Sequence, residues 1–182
     1  MIVGASFLAL DLETTGLDPR EDQILEVAWA PLSSDFERLT PTKSLVVEVT
    51  SAARERLMEN EYTREMHRSN GLIRDCLNEG IPLAMVEKLI LAESEEWAWD
   101  EPRLTIFGSS VHFDLRFTQA HMPTLAKWLH YRVLDVTTLI SFSTAAGVPS
   151  DDQREIAHRA GADIDWSIST AQRLLSAFTL AQ

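Results

Sequence analysis

The chain has 182 residues, of which 45% are apolar and 24% charged, and its formal net charge at pH 7 is −12. This length and composition are those of one ordinary globular domain, so residues 1–182 are predicted to form a single domain. The negative charge argues against a protein that grips long nucleic acid with a broad basic surface, and it favours a short substrate over a long polyanion. An enzyme that clusters carboxylates around divalent metals remains compatible with it.

The cellular setting is predicted from the start of the chain and from the cysteine count. Residues 1–13 have no basic region, and Asp11 and Glu13 break their apolar run, so we expect neither a signal peptide nor a membrane span. Cys76 is the only cysteine. It excludes an intrachain disulfide and favours a cytoplasmic protein in which Cys76 is a packing residue.

The secondary structure is predicted from hydrophobic periodicity in chain order. Strands are expected over 6–12, 24–30 and 44–49, and their closeness in sequence predicts an antiparallel meander. Next come helices over 51–78 and 82–98, a strand over 103–107, helices over 113–121 and 123–129, a strand over 131–135, and helices over 136–146 and 153–179. The pattern predicts a mixed α/β fold in which helices flank a central sheet of about five strands.

Two acidic side chains lie at the end of the first predicted strand. Residues two apart on a strand point to the same face, so Asp11 and Glu13 are expected to project together. Adjacent carboxylates repel each other unless a cation lies between them, and hard ions such as Mg²⁺ prefer oxygen ligands. The alternative is an ordinary solvent-facing strand end, because Asp-x-Glu is a common triplet.

Two later segments add a histidine and two more acids. Asp114 lies in the first turn of a predicted helix, where an acid can also serve as a helix cap or dipole partner. His158 is expected just before a helix or at its start, with Asp163 inside that helix. Gly161 is costly in a helix and is expected to loosen this turn, leaving His158 mobile without substrate. A surface histidine and a helix-surface acid are the alternatives for His158 and Asp163.

Together these segments resemble the three motifs of the DEDDh class of 3′→5′ exonucleases. Residues 11–17 match D-x-E-T-T-G-L; residues 108–117 match G-N-S-x-x-x-D-x-x-F with Ser109 in place of Asn; and residues 158–163 match H-x-A-x-x-D with Gly161 in place of the usual Leu. The resemblance implies an RNase H-like exonuclease fold. It also implies two Mg²⁺ or Mn²⁺ ions per site, held by Asp11, Glu13, Asp114 and Asp163.

The reaction implied by this resemblance is two-metal hydrolysis. The two ions lower the pKa of the attacking water and stabilise the leaving 3′ oxygen. His158 is expected to act as the general base, a role suited to imidazole because it changes protonation near neutral pH. The product is a nucleoside 5′-monophosphate released from the 3′ end.

Further segments resemble the oligoribonucleases, the members of this class that trim very short RNA. Residues 121–136 are similar to the stretch M-P-x-L…HYR…DV, and residues 66–72 are similar to H-x-x-S-G-L with a shift near Asn70. Tyr62 stands where that family usually has Trp. The resemblance covers nearly the whole chain and predicts a homodimer that acts on short single-stranded RNA.

The same resemblance implies specific substrate contacts. Leu17 and Tyr62 would sandwich the bases of a dinucleotide, and stacking on an aromatic ring tolerates any base. A cap on the 5′ phosphate would comprise His67, Ser110, Tyr131 and Arg132, the last two supplied by the partner subunit. An arginine fork suits a terminal phosphate. The alternatives are a core or interface aromatic for Tyr131 and a surface charge for Arg132.

Two departures from the family pattern bear on substrate length. Tyr62 replaces the usual Trp, and residues 138–142 lack the lysine of the family's Lys-Glu-Leu element, so strict dinucleotide preference is less secure than nuclease activity. Two other functions compete with this prediction: a DNA 3′→5′ exonuclease of the proofreading type, and a catalytically silent nucleic-acid-binding protein. The complete set of four acids and a histidine favours an active enzyme.

Overall fold

The computed structural model describes residues 4–98, 103–148 and 158–180. One mixed sheet comprises β1 (Phe7–Thr14), β2 (Ile24–Leu32), β3 (Lys43–Val46), β4 (Thr105–Gly108) and β5 (Val133–Asp135), in the order β3-β2-β1-β4-β5. β1, β2 and β3 pair antiparallel, whereas β4 pairs parallel with both β1 and β5. The predicted α/β class, the meander and the number of strands are confirmed.

Helices cover both faces of this sheet. They are α1 (Ser51–Glu59), α2 (Glu61–Ser69), α3 (Leu72–Glu79), α4 (Leu83–Trp97), α5 (His112–His121), α6 (Pro123–Trp128), α7 (Val136–Ala145) and α8 (Ala160–Leu180). α8 packs on β1 and β2, and α7 packs on α8. α4 contacts β2, α5 contacts β1, and α3 lies against β2 and β3. None of the helices in the described part of the chain is long and apolar enough to cross a membrane.

The mostly helical region predicted over 51–78 comprises three separate helices. Asn60 has an extended backbone that ends α1, and its side chain accepts a hydrogen bond from Thr63 N at the start of α2. Gly71, with φ +82°, interrupts the helical backbone again before α3. Periodicity alone does not register such breaks, because each of the three helices keeps its own apolar positions.

Two further boundaries differ from the prediction. The strand expected over 44–49 ends at Val46, after which Val47 forms a single bridge with Ile81. The last helix begins at Ala160, so residues 158 and 159 precede it, and residues 153–157 of that prediction lie outside the described residues.

The two faces of β1 lead into different cores. Leu8, Leu10 and Leu12 belong to the cluster that packs under α4, α5 and α6. Phe7 and Ala9 face the other way, toward Ile164 and Ile168 of α8. Small alanines at this interface, Ala9 together with Ala28 and Ala30 of β2, let α8 approach the sheet closely. With a side-chain period of two, Asp11 and Glu13 continue the face that α8 covers.

Candidate active site

Three carboxylates converge where β1 meets the first turn of α8. Ligand oxygens of Asp11, Glu13 and Asp163 lie within 4.8 Å of one another. Glu13 and Asp163 are buried, and Asp11 is half-buried. Like charges this close repel each other, and oxygen ligands of this kind suit hard divalent cations. The cluster therefore fits the metals that its sequence motifs imply.

The pKa of Glu13 is raised both by burial and by the neighbouring carboxylates. Burial first, and then the charges of Asp11, Asp163 and Glu26, raise the pKa of the Glu13 carboxyl to about 8. The guanidinium of Arg159 opposes the rise. In the absence of a cation, the folded chain thus holds a proton on Glu13 at neutral pH.

Asp114 reaches the same end of β1 from the other face of the sheet. Pairing between β1 and β4 extends only to Ala9 and Phe107, so the N–H of Leu12 is free to donate to Asp114 Oδ1, at 2.9 Å. Asp114 lies in the first turn of α5, as expected from the sequence, and it is buried. Burial, and next the nearby Asp11 carboxylate, raise the pKa of Asp114 well above its usual range.

A cavity of about 310 Å³ opens beside the acids. Its lining includes Glu13, Leu17, Tyr62, His67 and His158. Leu17 and Tyr62 are 78% and 76% exposed, so both present their side chains at the cavity rather than in the core. The volume lies at the lower end of the range for small-ligand sites, roughly 300–1,000 Å³. Sequence-predicted base-stacking residues and the predicted general base thus line one pocket.

His67 forms part of the buried wall of this cavity. Its Nε2 donates to the carbonyl oxygen of Thr14 at 2.9 Å and lies 3.9 Å from Glu13 Oε2. Burial lowers the pKa of His67, and the pKa of Glu13 is raised, so this contact is not an ion pair at neutral pH in the metal-free protein. His67 is therefore a neutral side chain here.

The turn that carries Leu17 is held by a carboxylate beneath it. Asp22 accepts hydrogen bonds from Thr15 Oγ1 at 3.1 Å and from the backbone N–H of Asp18 at 3.0 Å. Arg56 of α1 closes the network with a 3.0 Å ion pair to Asp22. These bonds lower the pKa of Asp22 despite its partial desolvation. The exposed Leu17 thus stands on a turn that is held by hydrogen bonds and an ion pair.

The remaining predicted substrate residues lie apart from this cavity. Ser110 precedes α5 with φ +53°, and its N–H donates to Asp135 Oδ1 at 3.3 Å. Tyr131 and Arg132 directly precede β5, at the opposite end of the sheet from the acids. Val133 pairs with Ile106, which pairs with Leu8, five residues before Glu13, or about 17 Å along the strand. One chain therefore does not bring Tyr131 and Arg132 to its own carboxylates.

Comparison with known proteins places this site in a family. A model described as Exonuclease matches residues 8–170. An oligoribonuclease of Pseudomonas savastanoi is 36% identical over 130 residues, covering 71% of each chain. One of Pseudomonas fluorescens is 31% identical over 165 residues, covering 90% of each. The chain belongs to the oligoribonuclease family of exonucleases. Both the predicted family and the predicted class of enzyme are confirmed.

Solved structures show that the fold of this oligoribonuclease-family chain is shared more widely. It superposes on Escherichia coli exonuclease I, solved in complex with single-stranded DNA, with a TM-score of 0.67 at 16% identity. The match covers 95% of this chain and 42% of exonuclease I, so this chain spans about two fifths of that protein. The likeness concerns the fold, and it confirms the RNase H-like exonuclease architecture predicted from the motifs.

Sequence reasoning missed several residues that build the site of this family member. Glu26, Arg159 and Asn70 surround the turn that carries His158, and Asp135 holds the loop before α5. A usable signal existed for Glu26, because a charge inside the otherwise apolar strand 24–30 has to find a buried partner. Arg159 had no such signal, since an arginine next to a motif residue is ordinarily solvated.

Proposed function

We propose that this chain is a 3′→5′ exoribonuclease that degrades short single-stranded RNA, dinucleotides included, to nucleoside 5′-monophosphates. The observation that carries the proposal is the convergence of Asp11, Glu13 and Asp163 beside a cavity flanked by Leu17 and Tyr62. The small cavity and the net charge of −12 both favour a short substrate. The proposal takes residues 1–182 as one exonuclease domain that works in the cytoplasm, in keeping with its single, buried Cys76.

Four carboxylates would hold two divalent ions, Mg²⁺ or Mn²⁺. They are Asp11, Glu13, Asp114 and Asp163. Burial first, and then the neighbouring acidic charges, raise the pKa of Glu13 to about 8. A bound cation would neutralise those charges. When bound, two such ions make an attacking water more acidic and stabilise charge on the leaving oxygen.

The side chains around the cavity would align the substrate and move the proton. His158 lines the cavity together with Glu13, so its imidazole is placed to accept a proton from water at the scissile phosphate. Leu17 and Tyr62 would hold the terminal bases between them. Contacts of this type are independent of base identity, which suits an enzyme that clears short RNA of any sequence.

The 5′ phosphate would be held by a cap that includes residues of a second subunit. His67 and Ser110 belong to the chain that carries the acids, whereas Tyr131 and Arg132 would come from its partner in a homodimer. The position of Tyr131 and Arg132 at the end of the sheet opposite the acids supports this division, because one chain does not complete the cap alone. Since burial keeps His67 neutral, Arg132 would supply the positive charge of the cap.

The direct test is a time course of hydrolysis on labelled RNA of two to seven nucleotides, with Mg²⁺ and with Mn²⁺ and with single-stranded DNA as the comparison. We expect nucleoside 5′-monophosphates as products and faster turnover on RNA. Asp11→Ala, Asp114→Ala and Asp163→Ala should each lower kcat by about 10³-fold or more while circular dichroism shows a folded chain.

The matched control is Asp165→Ala, two residues after Asp163 on the same helix. Asp165 pairs with Arg38 on the outside of α8, is largely exposed, and does not join the acid cluster. It should keep wild-type turnover. A cluster variant with wild-type kcat under matched metal would refute the proposed site, and preferential hydrolysis of DNA would refute the proposed substrate.

A further inference from the structure

His158 occupies an unusual backbone conformation. It lies two residues before the start of α8 with φ +50°, in the left-handed region that side chains other than glycine rarely adopt. Such a conformation persists only when surrounding contacts hold it, and in enzymes these positions cluster at functional sites. The contacts around His158 therefore show what keeps the imidazole at the cavity.

On one side, the residue after His158 is tied to two separate elements. The guanidinium of Arg159 donates to Glu26 of β2, with Nε to Oε2 at 3.1 Å and Nη2 to Oε1 at 3.0 Å. Its Nη1 donates to Asp75 of α3 at 3.0 Å. A planar guanidinium suits this arrangement because its donors are fixed relative to one another.

Glu26 fixes the start of α8 as well as Arg159. Its Oε2 accepts the backbone N–H of Ala160 at 3.0 Å, and its Oε1 accepts Ser44 Oγ at 2.7 Å. The side chain is only 2% exposed, so these bonds lie out of competition with water. One buried carboxylate thus anchors both residues that follow His158.

On the other side, Asn70 holds His158 itself. Its Nδ2 donates to the carbonyl oxygen of His158, while its Oδ1 accepts the N–H of Leu72 at 3.1 Å. Asn70 ends α2, the helix that brings Tyr62 and His67 to the cavity wall. The bond therefore joins the backbone of His158 to the wall of the cavity that it faces.

We propose that Arg159 and Asn70 are positioning residues for the hydrolytic step, which together with Glu26 hold the His158 turn so that its imidazole stays at the cavity. The inference rests on the function proposed above. The two ties approach the turn from different elements, so neither replaces the other. A general base displaced by about 1 Å loses up to about 100-fold in rate, whereas substrate and metals bind to other groups.

The test compares four variants by kcat and KM on a diribonucleotide and by Mn²⁺ binding. Arg159→Met removes the bonds of the guanidinium to Glu26 and Asp75, and Arg159→Lys restores one of them. Asn70→Asp keeps the acceptor for Leu72 N–H but removes the donor to the His158 carbonyl. Arg74→Met is the matched control, because Arg74 also pairs with Asp75 but does not contact the turn. We expect kcat to fall about 100-fold for Arg159→Met and about tenfold for Asn70→Asp, with KM and Mn²⁺ affinity within threefold of wild type and partial recovery in Arg159→Lys.

A second measurement separates failure of this inference from failure of the proposed function. Hydrogen exchange of the peptide spanning residues 158–163 should accelerate in Arg159→Met and Asn70→Asp but not in Arg74→Met, whatever substrate the enzyme takes. Wild-type kcat and wild-type exchange in both Arg159→Met and Asn70→Asp would overturn the inference but would not contradict the proposed nuclease function. Parallel loss of kcat, substrate affinity and Mn²⁺ binding would overturn it in favour of a general structural role. If Arg159→Met melts below the assay temperature, Asn70→Asp decides the outcome, since Asn70 lies outside the hydrophobic clusters.

Discussion

Glu13 lies among other acids, and its pKa of about 8 in the metal-free protein contrasts with an ordinary value of 4.5. An unfolded chain exposes this carboxyl and ionises it near the ordinary value. Between about pH 4.5 and pH 8 the folded protein therefore holds a proton that the unfolded chain has lost. Stability contributed by this group decreases as the pH rises through that window.

We expect this effect to appear in the melting temperature of the metal-free protein. From pH 5 to pH 8 in EDTA, wild-type Tm should fall relative to that of Glu13→Gln, because the glutamine carries no proton to lose. The difference corresponds to a few kcal/mol of unfolding free energy at most, on the order of the shift in pKa. Added Mn²⁺ should raise wild-type Tm most at the upper end of the window. Parallel pH curves for the two proteins would contradict the stated cause.

The surroundings of Gly16 leave no room for a larger side chain. A Cβ at Gly16 would lie 2.5 to 2.6 Å from the carboxylate atoms of Asp22, the group that holds the turn below Leu17. We predict that Gly16→Ala displaces Asp22, destabilises the protein by about 1–3 kcal/mol and raises KM for a dinucleotide more than it lowers kcat. Thermal melting and steady-state kinetics measure both effects.

Gly161 is the matched control because it lies in a helix with free space around it. The nearest atom to a Cβ there is Ser44 Cβ at 3.7 Å, an ordinary contact. Gly161→Ala should stabilise the protein by up to about 1 kcal/mol, since alanine is the better helix former. Equal destabilisation by both substitutions would show that the close approach of Gly16 to Asp22 is not the cause.

At the scale of elements, Asp135 joins two strand–helix connections. It ends β5 and caps α7 by accepting Thr137 N at 2.8 Å. It also accepts the N–H groups of Ser110 and Val111, at 3.3 and 3.1 Å, in the loop that leads from β4 into α5. Because α5 carries Asp114, the position of the fourth acid depends on a carboxylate from the neighbouring connection.

We predict that Asp135→Ala costs about 2–3 kcal/mol of stability and also lowers kcat, because it removes a cap and leaves loop N–H groups without their acceptor. Thr50→Ala provides the comparison, since Thr50 caps α1 by accepting Ala53 N and does not touch the α5 loop. It should cost about 1 kcal/mol and leave kcat unchanged. Urea unfolding measures the loss of the helix cap, and kinetics on a dinucleotide measure any effect on the site. Equal kcat values for Asp135→Ala and Thr50→Ala would contradict the proposed role of Asp135 in positioning Asp114.

At the scale of the whole molecule, the proposed cap requires two chains. Tyr131 is 80% exposed; the His130 ring contacts it in a tilted arrangement, and the Arg132 guanidinium lies 5.5 Å from its ring centre. This small aromatic and cationic group stands at the end of the sheet opposite the acids. A cap built in this way functions only if a partner presents the group to a neighbouring active site.

Mixing two defective proteins tests this arrangement. Asp114→Ala lacks a metal ligand, and Arg132→Ala lacks the proposed phosphate contact. A mixed dimer would combine the intact acids of one chain with the intact Arg132 of the other, so equal mixing should recover about one quarter of wild-type activity. Light scattering should show a dimer throughout. Activity no higher than the average of the two separate proteins would contradict the supply of Arg132 by the partner subunit.

Much of the fold was open to prediction from local pattern. Alternation along β1 placed Asp11 and Glu13 on one face, and both were found beside Asp163. The breaks at Asn60 and Gly71 were missed because helical periodicity continues across them, whereas backbone conformation there is set by a side-chain cap and by a positive φ. The expectation that Gly161 loosens the His158 turn rested on the glycine alone and stays a prediction, because the partners of Arg159 are distant in sequence and could not be taken into account.

Short-range information was sufficient for the strand that presents two acids together, for the helices that carry the others, and for the family resemblance, because these depend on neighbours within a few residues. Long-range packing alone established how the site is held. The Leu12–Asp114 bond spans 102 residues and the Arg159–Glu26 pair spans 133. Such bonds depend on the packing of the apolar faces of β1, β2 and α8, since that burial excludes water and fixes the geometry in which a charged group finds its partner.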